Sequence, residues 1–412
     1  MYVTHLTCSP PDIPNQRRIS IVTETYPPEV NGVALTLAHL VEGLRLRGHA
    51  VSVVRPRQRK FDQAPLRFDP MEILVPALPL PGYRGLRVGL PVGGTLQHRW
   101  TEHRPDVVYV ATEGPLGWSA VAVAQRLGIP VISGFHTNFH SYCKHYRVAW
   151  LRPLIFHYLC KFHSRTMATL VPSTDLRSRL QAVGLRNVNV LGRGVDSRLF
   201  TPQRRSAALR RAWRASESDL VLLSVGRVAA EKNIELAIKA YRAMKRVSHA
   251  VKFVIVGDGP LRARLQKKHP DLVFCGVHTG EQLAEHYASA DIFLFPSETE
   301  TFGNVTLEAM ASGLVVVAYD YAAARIHIRD SESGTLVPYG DEQAFVDKAA
   351  ELARLPQSLD KMSRQARQYA TSLDWQRVVD RFAALLMSAL DQSHTAGAEV
   401  GSEAIEATPS CY

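Results

Sequence analysis

The strongest constraint on the fold is an alternation between short apolar runs and helical patterns, which occurs twice along the 412 residues. Runs rich in Val, Ile and Leu, each followed by helical spacing of apolar residues, are typical of parallel strands covered by helices. The first series predicts strands at residues 18–23, 50–54, 106–112, 130–135, 168–173 and 187–191. The pattern breaks at residues 192–202 and restarts with predicted strands at 219–226, 251–257, 272–276, 291–297 and 313–318.

Two such series predict an α/β fold with two doubly wound, Rossmann-like domains, because a chain of this length exceeds what one hydrophobic core usually serves. We place the first domain at residues 17–198 and the second at 199–372. Ligands of such sheets bind beyond the carboxyl ends of the strands, so we expect the site in the cleft between the domains. Residues 373–390 are predicted to form a C-terminal helix. Residues 391–412 contain few bulky apolar side chains and are predicted to be a disordered tail.

The cysteines and the N-terminal segment indicate the compartment. Five cysteines are an odd number, and their wide scatter favours reduced thiols over a disulfide framework. The N-terminal segment lacks the apolar core of a secretion signal, and no apolar run reaches the roughly 18 residues that span a bilayer. We therefore predict a cytoplasmic protein.

Charge is distributed unevenly along the chain. Residues 1–200 hold 24 Lys and Arg against 12 Asp and Glu, so the whole net charge of +11 lies in the first half. Such asymmetry suggests an anionic partner such as a membrane surface, a phosphorylated acceptor or nucleic acid, although a solvated basic face explains it equally well. No aromatic and basic stripe of the kind that binds single strands is present, so nucleic acid is not predicted as a partner.

The segment FPSETETFGNVTLEAMASG (295–313) carries the sharpest functional signal. An apolar strand ends at Ser297, and a helix is expected to begin near Gly303 or Asn304. The unpaired N–H groups and the positive dipole end of a helix start bind anions, and a glycine allows a phosphate to approach closely. Glu308 lies in an apolar stretch and needs hydroxyl or cationic partners. The alternative places Glu308 at the solvent edge of the helix and Glu300 merely near its cap.

A second signal is LLSVGRVAAEKN (222–233), where a strand leads into a loop with Arg227 and Lys232. Two fixed cations would stabilise the negative charge that develops on a departing diphosphate. No Asp-x-Asp triplet of the kind that holds a divalent metal occurs in the chain, so these side chains and the helix start would have to do that work. Alternatively, they are surface residues that cap a helix.

Two further loops follow predicted strands of the first domain. Gly32 in YPPEVNGV permits close approach of a ligand backbone, although turns favour glycine in any case. GFHTNFHSYCKH (134–145) contains His136, His140, Cys143 and His145, whose spacing matches no closed zinc site, so no metal is predicted. His136, at the end of the strand, is the histidine that we expect to reach the cleft.

Together these motifs resemble the retaining glycosyltransferases of family four, which have the GT-B fold, over roughly residues 17–390. Within this family, the chain resembles the subgroup that contains GDP-mannose-dependent α-mannosyltransferases and sulfoquinovosyl-diacylglycerol synthases. The resemblance is carried by TYPPEVNGV, GFHTNFHSY, GRGVD, VGRVAAEKN, VIVGDGP and YASADIFLFPSETETFGNVTLEAMASG. It implies that the C-terminal helix returns to the first domain, and that front-side substitution occurs with the leaving phosphate assisting deprotonation of the acceptor.

The resemblance also implies a role for each matching residue. Glu300 would face the hydroxyls of the donor sugar, Glu308 the ribose, and Arg227 and Lys232 the diphosphate oxygens. Gly32 would close the site from the first domain and His136 would contact the sugar. The main chain that would hold the diphosphate comprises Phe302, Gly303, Asn304, Val305 and Thr306. The donor would be GDP-mannose or a UDP-sugar, and no cofactor is implied.

The chain departs from the family pattern at two places. YDYAAARIHIRD (319–330) replaces a stretch of the Gly-Gly-x-Glu type, which leaves the donor sugar open, and Arg193 stands where many members have Asn.

We predict transfer of a hexose of the mannose or glucose type to a lipid or glycolipid at the cytoplasmic membrane face, with the basic cluster 55–61 near the lipid. The alternatives are a soluble or polysaccharide acceptor, a nucleotide-sugar epimerase or phosphorylase, and a sugar-nucleotide sensor without enzymatic activity.

Overall fold

The structure, a computed structural model, describes residues 16–29, 31–58, 71–79, 87–136, 152–248, 250–300 and 302–405. Its strands are β1 (Arg18–Val22), β2 (Ala50–Pro56), β3 (Glu72–Val75), β4 (Ala77–Pro79), β5 (Arg87–Gly89), β6 (Val107–Val110), β7 (Val131–Gly134), β8 (Ala168–Val171), β9 (Val188–Val190), β10 (Leu220–Val225), β11 (Val251–Val256), β12 (Val273–Gly276), β13 (Ile292–Phe295), β14 (Val315–Tyr319) and β15 (Gly334–Val337). Its α-helices are α1 (Gly32–Leu46), α2 (Gly93–Glu102), α3 (Pro115–Arg126), α4 (Arg152–His163), α5 (Thr174–Ala182), α6 (Ala207–Ala212), α7 (Ile234–Val247), α8 (Arg262–Lys268), α9 (Gly280–Ala288), α10 (Asn304–Ala311), α11 (Ala322–His327), α12 (Glu342–Arg354), α13 (Pro356–Thr371) and α14 (Trp375–Ile405).

Two separate parallel sheets form the frame of the molecule. The first has the order β3-β2-β1-β6-β7-β8-β9, and the second has the order β12-β11-β10-β13-β14-β15. In both sheets the order reverses beside the first strand of the series, between β1 and β6 and between β10 and β13. Ligands of open α/β sheets bind at such switch points. The predicted α/β fold with two Rossmann-like domains is therefore confirmed.

Each sheet is buried on both faces, which explains why its strands read as continuous apolar runs. Apolar side chains on the two faces of the second sheet belong to two clusters, one around Phe293 and Leu307 and the other around Tyr241 and Phe345. The strands that the sequence reading missed are β3, the β4–β5 hairpin and β15, each of which is only three or four residues long. Such short runs carry too little periodicity to be distinguished from loops.

The C-terminal helix α14 returns to the first domain, as predicted. Val379, Phe382 and Leu386 lie in the apolar cluster that covers β1 and α1. Gly43 of α1 allows this contact, because a Cβ atom there would lie 2.5 Å from a methyl carbon of Val379. The helix continues to Ile405, past residue 390 where we placed the start of a disordered tail. Residues 406–412 lie outside the described residues, and the disorder of residues 391–412 stays a prediction.

Candidate functional site

The switch point of the second sheet brings the two sharpest sequence motifs together. The loop after β10 carries Arg227 and Lys232, and the loop after β13 carries Glu300 and leads into α10. Because β10 and β13 are hydrogen-bonded neighbours, both loops leave the same edge of the sheet. Two motifs whose residues Lys232 and Glu300 are 68 positions apart in sequence thus lie side by side.

Lys232 and Glu300 form an ion pair across these two loops. The Lys232 ammonium donates to Glu300 Oε1, and Ser297 Oγ donates to the same oxygen at 2.8 Å. Both side chains are largely shielded from solvent, with 20% of Lys232 and 13% of Glu300 exposed. The Lys232 nitrogen also lies 5.6 Å from the centre of the Phe295 ring. A charge pair this enclosed holds both side chains in one geometry before any ligand arrives.

The start of α10 supplies the third component of the site. Gly303 precedes the helix with a φ of 96°, a left-handed conformation that glycine adopts readily, and no side chain caps the helix. The first N–H groups of a helix lack partners within it, so an uncapped start can receive an anion. Asn304 Nδ2 donates to the Gly32 carbonyl oxygen at 3.4 Å, which brings Gly32 of the first domain to this helix start.

The remaining residues of the predicted main-chain anion site differ in their surroundings. Phe302 is buried, and its carbonyl oxygen accepts from Ala323 N at 2.8 Å. Thr306 N donates to the Gly303 carbonyl oxygen at 3.0 Å, so this amide is already used. Val305 is half-buried and packs against the apolar cluster. The unbonded amides are therefore expected at the very first residues of the helix rather than along its first turn.

Glu308 finds the hydroxyl partner that its apolar surroundings require. Tyr287 of α9 donates its hydroxyl to Glu308 Oε2 at 3.0 Å. Burial raises the pKa of Glu308 to about 7, against a smaller opposing effect of the Tyr287 hydrogen bond. No described residue bonds to Glu308 Oε1, which leaves one acceptor for a ligand hydroxyl. Tyr287 was missed in the sequence because a partner 21 residues away leaves no local pattern.

Arg227 is the more exposed of the two predicted cations. Its side chain is 40% exposed and pairs with Glu231 at 3.3 Å, one helical turn further along the loop. Exposed ion pairs of this kind contribute little and exchange readily for a stronger anion. Arg227 can therefore turn toward a phosphate at small cost.

His136 is buried, and both of its ring nitrogens bond to protein. Arg193 Nη2 donates to His136 Nδ1 at 2.8 Å, and the Tyr109 hydroxyl lies 2.7 Å from Nε2. An arginine can only donate, so Nδ1 accepts and the ring proton resides on Nε2. Burial, with the Arg193 charge, holds the pKa of His136 well below its usual range. Contact between His136 and a sugar would require one of these bonds to be exchanged, and it stays a prediction.

Arg193, where the family commonly has Asn, is itself a buried cation. Its guanidinium lies 5.9 Å from the centre of the Phe302 ring and donates to the carbonyl oxygens of Leu191 and Gly192. Burial lowers the pKa of Arg193 to about 10. The domain junction thus contacts both His136 and the loop that leads into α10.

Carboxylates, not cations, mark the switch point of the first sheet. Glu24 follows β1 and accepts from the main-chain N–H groups of Gly89 and Leu116, the latter at 3.3 Å. Burial raises the pKa of Glu24 to about 7. Glu113, which follows β6, is 3% exposed and contacts His163 at 3.3 Å. The sequence analysis singled out neither carboxylate, since each is an isolated acid in a loop.

Several predicted features lie outside the described residues. These include His140, Cys143 and His145, together with Arg59 and Lys60 of the basic cluster 55–61. Within the described ranges, no group of three His, Cys, Asp or Glu side chains is arranged to hold a metal ion. The same residues contain no helix with both the length and the apolar character needed to cross a membrane.

Two family models match the chain, one in each domain. Residues 30–199 match the model described as Glycosyltransferase Family 4, and residues 206–369 match the model described as Glycosyl transferases group 1. The gap between the two matches, residues 200–205, overlaps the segment 192–202 where the strand series breaks.

Individual relatives agree with this assignment. The chain is 34% identical over 365 residues to a GDP-mannose-dependent alpha-mannosyltransferase of Mycobacterium tuberculosis, covering 88% of this chain and 94% of the relative. It is 28% identical to an alpha-monoglucosyldiacylglycerol synthase of Streptococcus pneumoniae, covering 79% of this chain and 76% of the relative.

Among solved structures, the sucrose-phosphate synthase of Thermosynechococcus elongatus superposes with a TM-score of 0.74 at 17% identity, covering 90% of this chain and 99% of that one. That similarity concerns the fold. Because the mannosyltransferase relative is matched over nearly its whole length, and because both halves match glycosyltransferase models, the chain belongs to glycosyltransferase family 4 and has the GT-B fold.

Proposed function

We propose that the protein transfers mannose from GDP-mannose to a lipid or glycolipid acceptor, with retention of the anomeric configuration and without a metal ion. The observation that carries this proposal is the meeting of Lys232, Glu300 and the uncapped start of α10 at one switch point. These three components provide a cation, a sugar-hydroxyl acceptor and a main-chain anion site, which are the parts that a nucleotide diphosphate sugar requires.

The donor diphosphate is proposed to bind at the α10 start and to draw Lys232 and Arg227 to its oxygens. The anion would compete with Glu300 for Lys232, and the Glu300 carboxylate would then accept hydrogen bonds from sugar hydroxyls. Glu308 Oε1 would accept from the ribose. GDP-mannose is the first choice of donor because the M. tuberculosis relative is described as GDP-mannose-dependent.

Metal independence is proposed from the charges that the chain itself supplies. As the glycosidic bond breaks, negative charge accumulates on the leaving diphosphate, and the two cations and the helix start can stabilise it. Retention is proposed through front-side attack, in which the leaving phosphate takes the acceptor proton, so no protein nucleophile is required. The His136 tautomer fits this proposal, because a neutral Nε2–H group can donate but does not compete as a nucleophile.

A lipid acceptor is proposed from the S. pneumoniae relative, whose name specifies a glucosyldiacylglycerol, and from the surface of the first domain. Helix α4 exposes Leu154 and Tyr158, with 64% and 40% of their surface accessible, on the same element as Lys161. Arg57 of the basic cluster 55–61 is also exposed. Arg55 of that cluster is not available to lipid, since it is buried and pairs with Glu72 at 2.7 Å. We propose peripheral contact with the cytoplasmic membrane face.

The test uses the purified full chain and two measurements. A thermal-shift panel of GDP-mannose, UDP-glucose, UDP-sulfoquinovose, UDP-galactose and UDP-GlcNAc identifies the donor, because a ligand that binds only the folded state raises the melting temperature. Transfer from the selected donor to glycolipid-containing vesicles is then followed with and without EDTA, and the product anomer is read by NMR.

We expect GDP-mannose to give the largest shift, an α-linked product, and an unchanged rate in EDTA. Loss of transfer in EDTA, or a β-linked product, would contradict the mechanism. Transfer only to soluble glycans would replace the lipid acceptor by the soluble or polysaccharide alternative, and turnover without any acceptor would favour an epimerase.

A further inference from the structure

Three tyrosines form one aromatic cluster beside the loop that carries Glu300. Tyr319 ends β14, Tyr321 immediately precedes α11, and Tyr339 follows β15. The ring centres of Tyr321 and Tyr339 lie 5.4 Å apart, and those of Tyr319 and Tyr339 lie 5.6 Å apart. Tyr319 and Tyr321 belong to the segment 319–330 in which the chain departs from its family.

Two of the three hydroxyls bond to the main chain of that loop. Tyr321 donates to the Glu300 carbonyl oxygen at 2.9 Å, and Tyr339 donates to the Glu298 carbonyl oxygen at 2.8 Å. The Tyr319 hydroxyl bonds to no described residue, although its ring packs in the same cluster. We call Tyr321 and Tyr339 the tyrosine clamp.

The opposite side of the loop is fixed by the segment after β10. Glu298 N donates to the Glu231 carbonyl oxygen at 3.0 Å, and Asn233 Nδ2 donates to Glu298 Oε1 at 3.3 Å. Lys232, between them, holds the Glu300 carboxylate. The loop is therefore held from two directions, and the tyrosine clamp supplies one of them.

The backbone beside Tyr321 is strained, which shows that its position is imposed by its surroundings. Ala322 has a φ of 51°, a left-handed conformation that is unfavourable for a residue with a Cβ atom. Arg325 pairs with Asp320 at 3.0 Å and so braces the turn. A small cavity of about 10 Å³ lies between this turn and the loop, with Glu300, Phe302 and Ala322 in its wall.

We propose that Tyr321 and Tyr339 are positioning residues for the donor sugar. By bonding the carbonyl oxygens of Glu298 and Glu300, the tyrosine clamp sets where the Glu300 carboxylate stands and thus which arrangement of sugar hydroxyls it can accept. The clamp is proposed to act on the sugar and not on the nucleotide, because its two hydroxyls bond to the main chain of the loop that carries Glu300. This inference rests on the proposed function and extends it to discrimination among hexoses.

The first test requires no substrate. Hydrogen–deuterium exchange of peptides covering residues 297–304 is measured for the wild type, Tyr321→Phe, Tyr339→Phe and the matched control Tyr319→Phe. Loss of one neutral hydrogen bond is expected to speed exchange there roughly three- to tenfold in the two clamp variants. The control should match the wild type. Equal exchange in all four proteins would overturn the proposal whether or not the enzyme uses GDP-mannose.

The second test separates positioning from a general structural role. We expect Tyr321→Phe to lower kcat with GDP-mannose roughly three- to tenfold and to reduce the preference, by kcat/KM, for GDP-mannose over GDP-glucose. The Kd of GDP should be unchanged, because the diphosphate and base contacts remain. Tyr319→Phe should alter none of these quantities.

The outcomes distinguish the two proposals. Weakened GDP binding together with a lowered melting temperature in the clamp variants would make the tyrosines structural and overturn positioning. Wild-type kinetics and sugar preference in both clamp variants would overturn it as well. If the wild type showed no transfer from any nucleotide sugar, the proposed function would fail, and the exchange measurement would still decide whether the clamp orders the loop.

Discussion

The two domains share one strand order around their switch points but differ in the groups that lie there, with a lysine–glutamate pair and a helix start in the second and two carboxylates in the first. In the second domain, Lys232 pairs with Glu300 beside the uncapped start of α10. In the first domain, Glu24 and Glu113 occupy the corresponding loops, and the first N–H groups of α1 are already taken by the Asn31 side chain. Among the described residues, the helix start open to an anion is therefore that of α10 in the second domain, whereas the start of α1 is capped.

The net charge of each half of the chain does not predict the charge of its switch point. The net positive charge of the chain lies entirely in residues 1–200, yet the switch point of that half is acidic. Excess charge describes a surface and its long-range attraction, whereas a binding site depends on a few enclosed groups. The donor is thus expected in the half with almost no net charge, and the acceptor beside the half that is basic outside and acidic in the cleft.

Removing the enclosed cation should have the largest effect. Lys232→Met keeps the length of the side chain but takes away the charge and leaves Glu300 without its ion-pair partner. We expect kcat/KM for GDP-mannose to fall on the order of 100- to 1000-fold, as for other groups that stabilise developing charge. Lys239→Met, at an exposed pair with Glu342, is the control and should behave as wild type. A fully active Lys232→Met protein would remove the asymmetry between the two switch points.

Glu308 predicts a pH dependence of donor binding. Its pKa of about 7 means that the carboxylate, the better acceptor for ribose hydroxyls, forms as the pH rises through that value. Affinity for GDP-mannose should therefore increase about tenfold between pH 6 and pH 8, following the ionised fraction. The diphosphate of GDP-mannose is diesterified and does not titrate in this range. Calorimetry should show a flat profile for Glu308→Gln, and an equally steep profile in that variant would assign the effect to another group.

The raised pKa of Glu24, at the switch point of the first domain, predicts how the stability of the protein depends on pH. Its folded pKa of about 7 lies above the ordinary value of 4.5, so the native protein holds a proton that the unfolded chain releases. The contribution is present below about pH 4.5 and is lost as the pH rises toward 7, so stability should decline over that window. Glu24→Gln should show a shallower decline of melting temperature with pH. The pKa of Glu308 is also raised to about 7, so this residue lowers stability over the same pH window. The contribution of the two groups to the pH dependence of the melting temperature should therefore disappear only in the double variant Glu24→Gln, Glu308→Gln.

The smallest effect is expected from Thr306→Val. The Thr306 hydroxyl is fully buried and has no hydrogen-bond partner among the described residues, and valine has nearly the same shape. Replacing an unsatisfied hydroxyl should leave stability unchanged or raise it by about 1 kcal/mol. Transfer should stay within about twofold of wild type, because the anion site is made by the main chain. A large loss of activity would show that this hydroxyl turns to the ligand.

The sequence by itself determined the two parallel sheets and the position of the donor motifs. Buried parallel strands such as Val315–Tyr319 must be apolar on both faces, and this requirement is visible in a single chain. Gly303, which precedes α10, comes after strand β13, and Lys232 lies in the loop after strand β10. Their place at the edge of the sheet therefore follows from the order of elements along the chain. The resemblance to family 4 implied a donor class and the return of the C-terminal helix, which residue patterns alone left unassigned.

Only the tertiary structure decided the partners of the enclosed groups. Tyr287 and Glu308, Arg193 and His136, and Tyr321 and Glu300 meet across 21 to 57 residues of sequence. Each pairing depends on how helices and loops pack over the sheet, and packing leaves no spacing that can be recognised in the chain. The charge, tautomer and position of the site residues follow from those contacts, because burial and hydrogen bonding set the energies of buried ionisable groups.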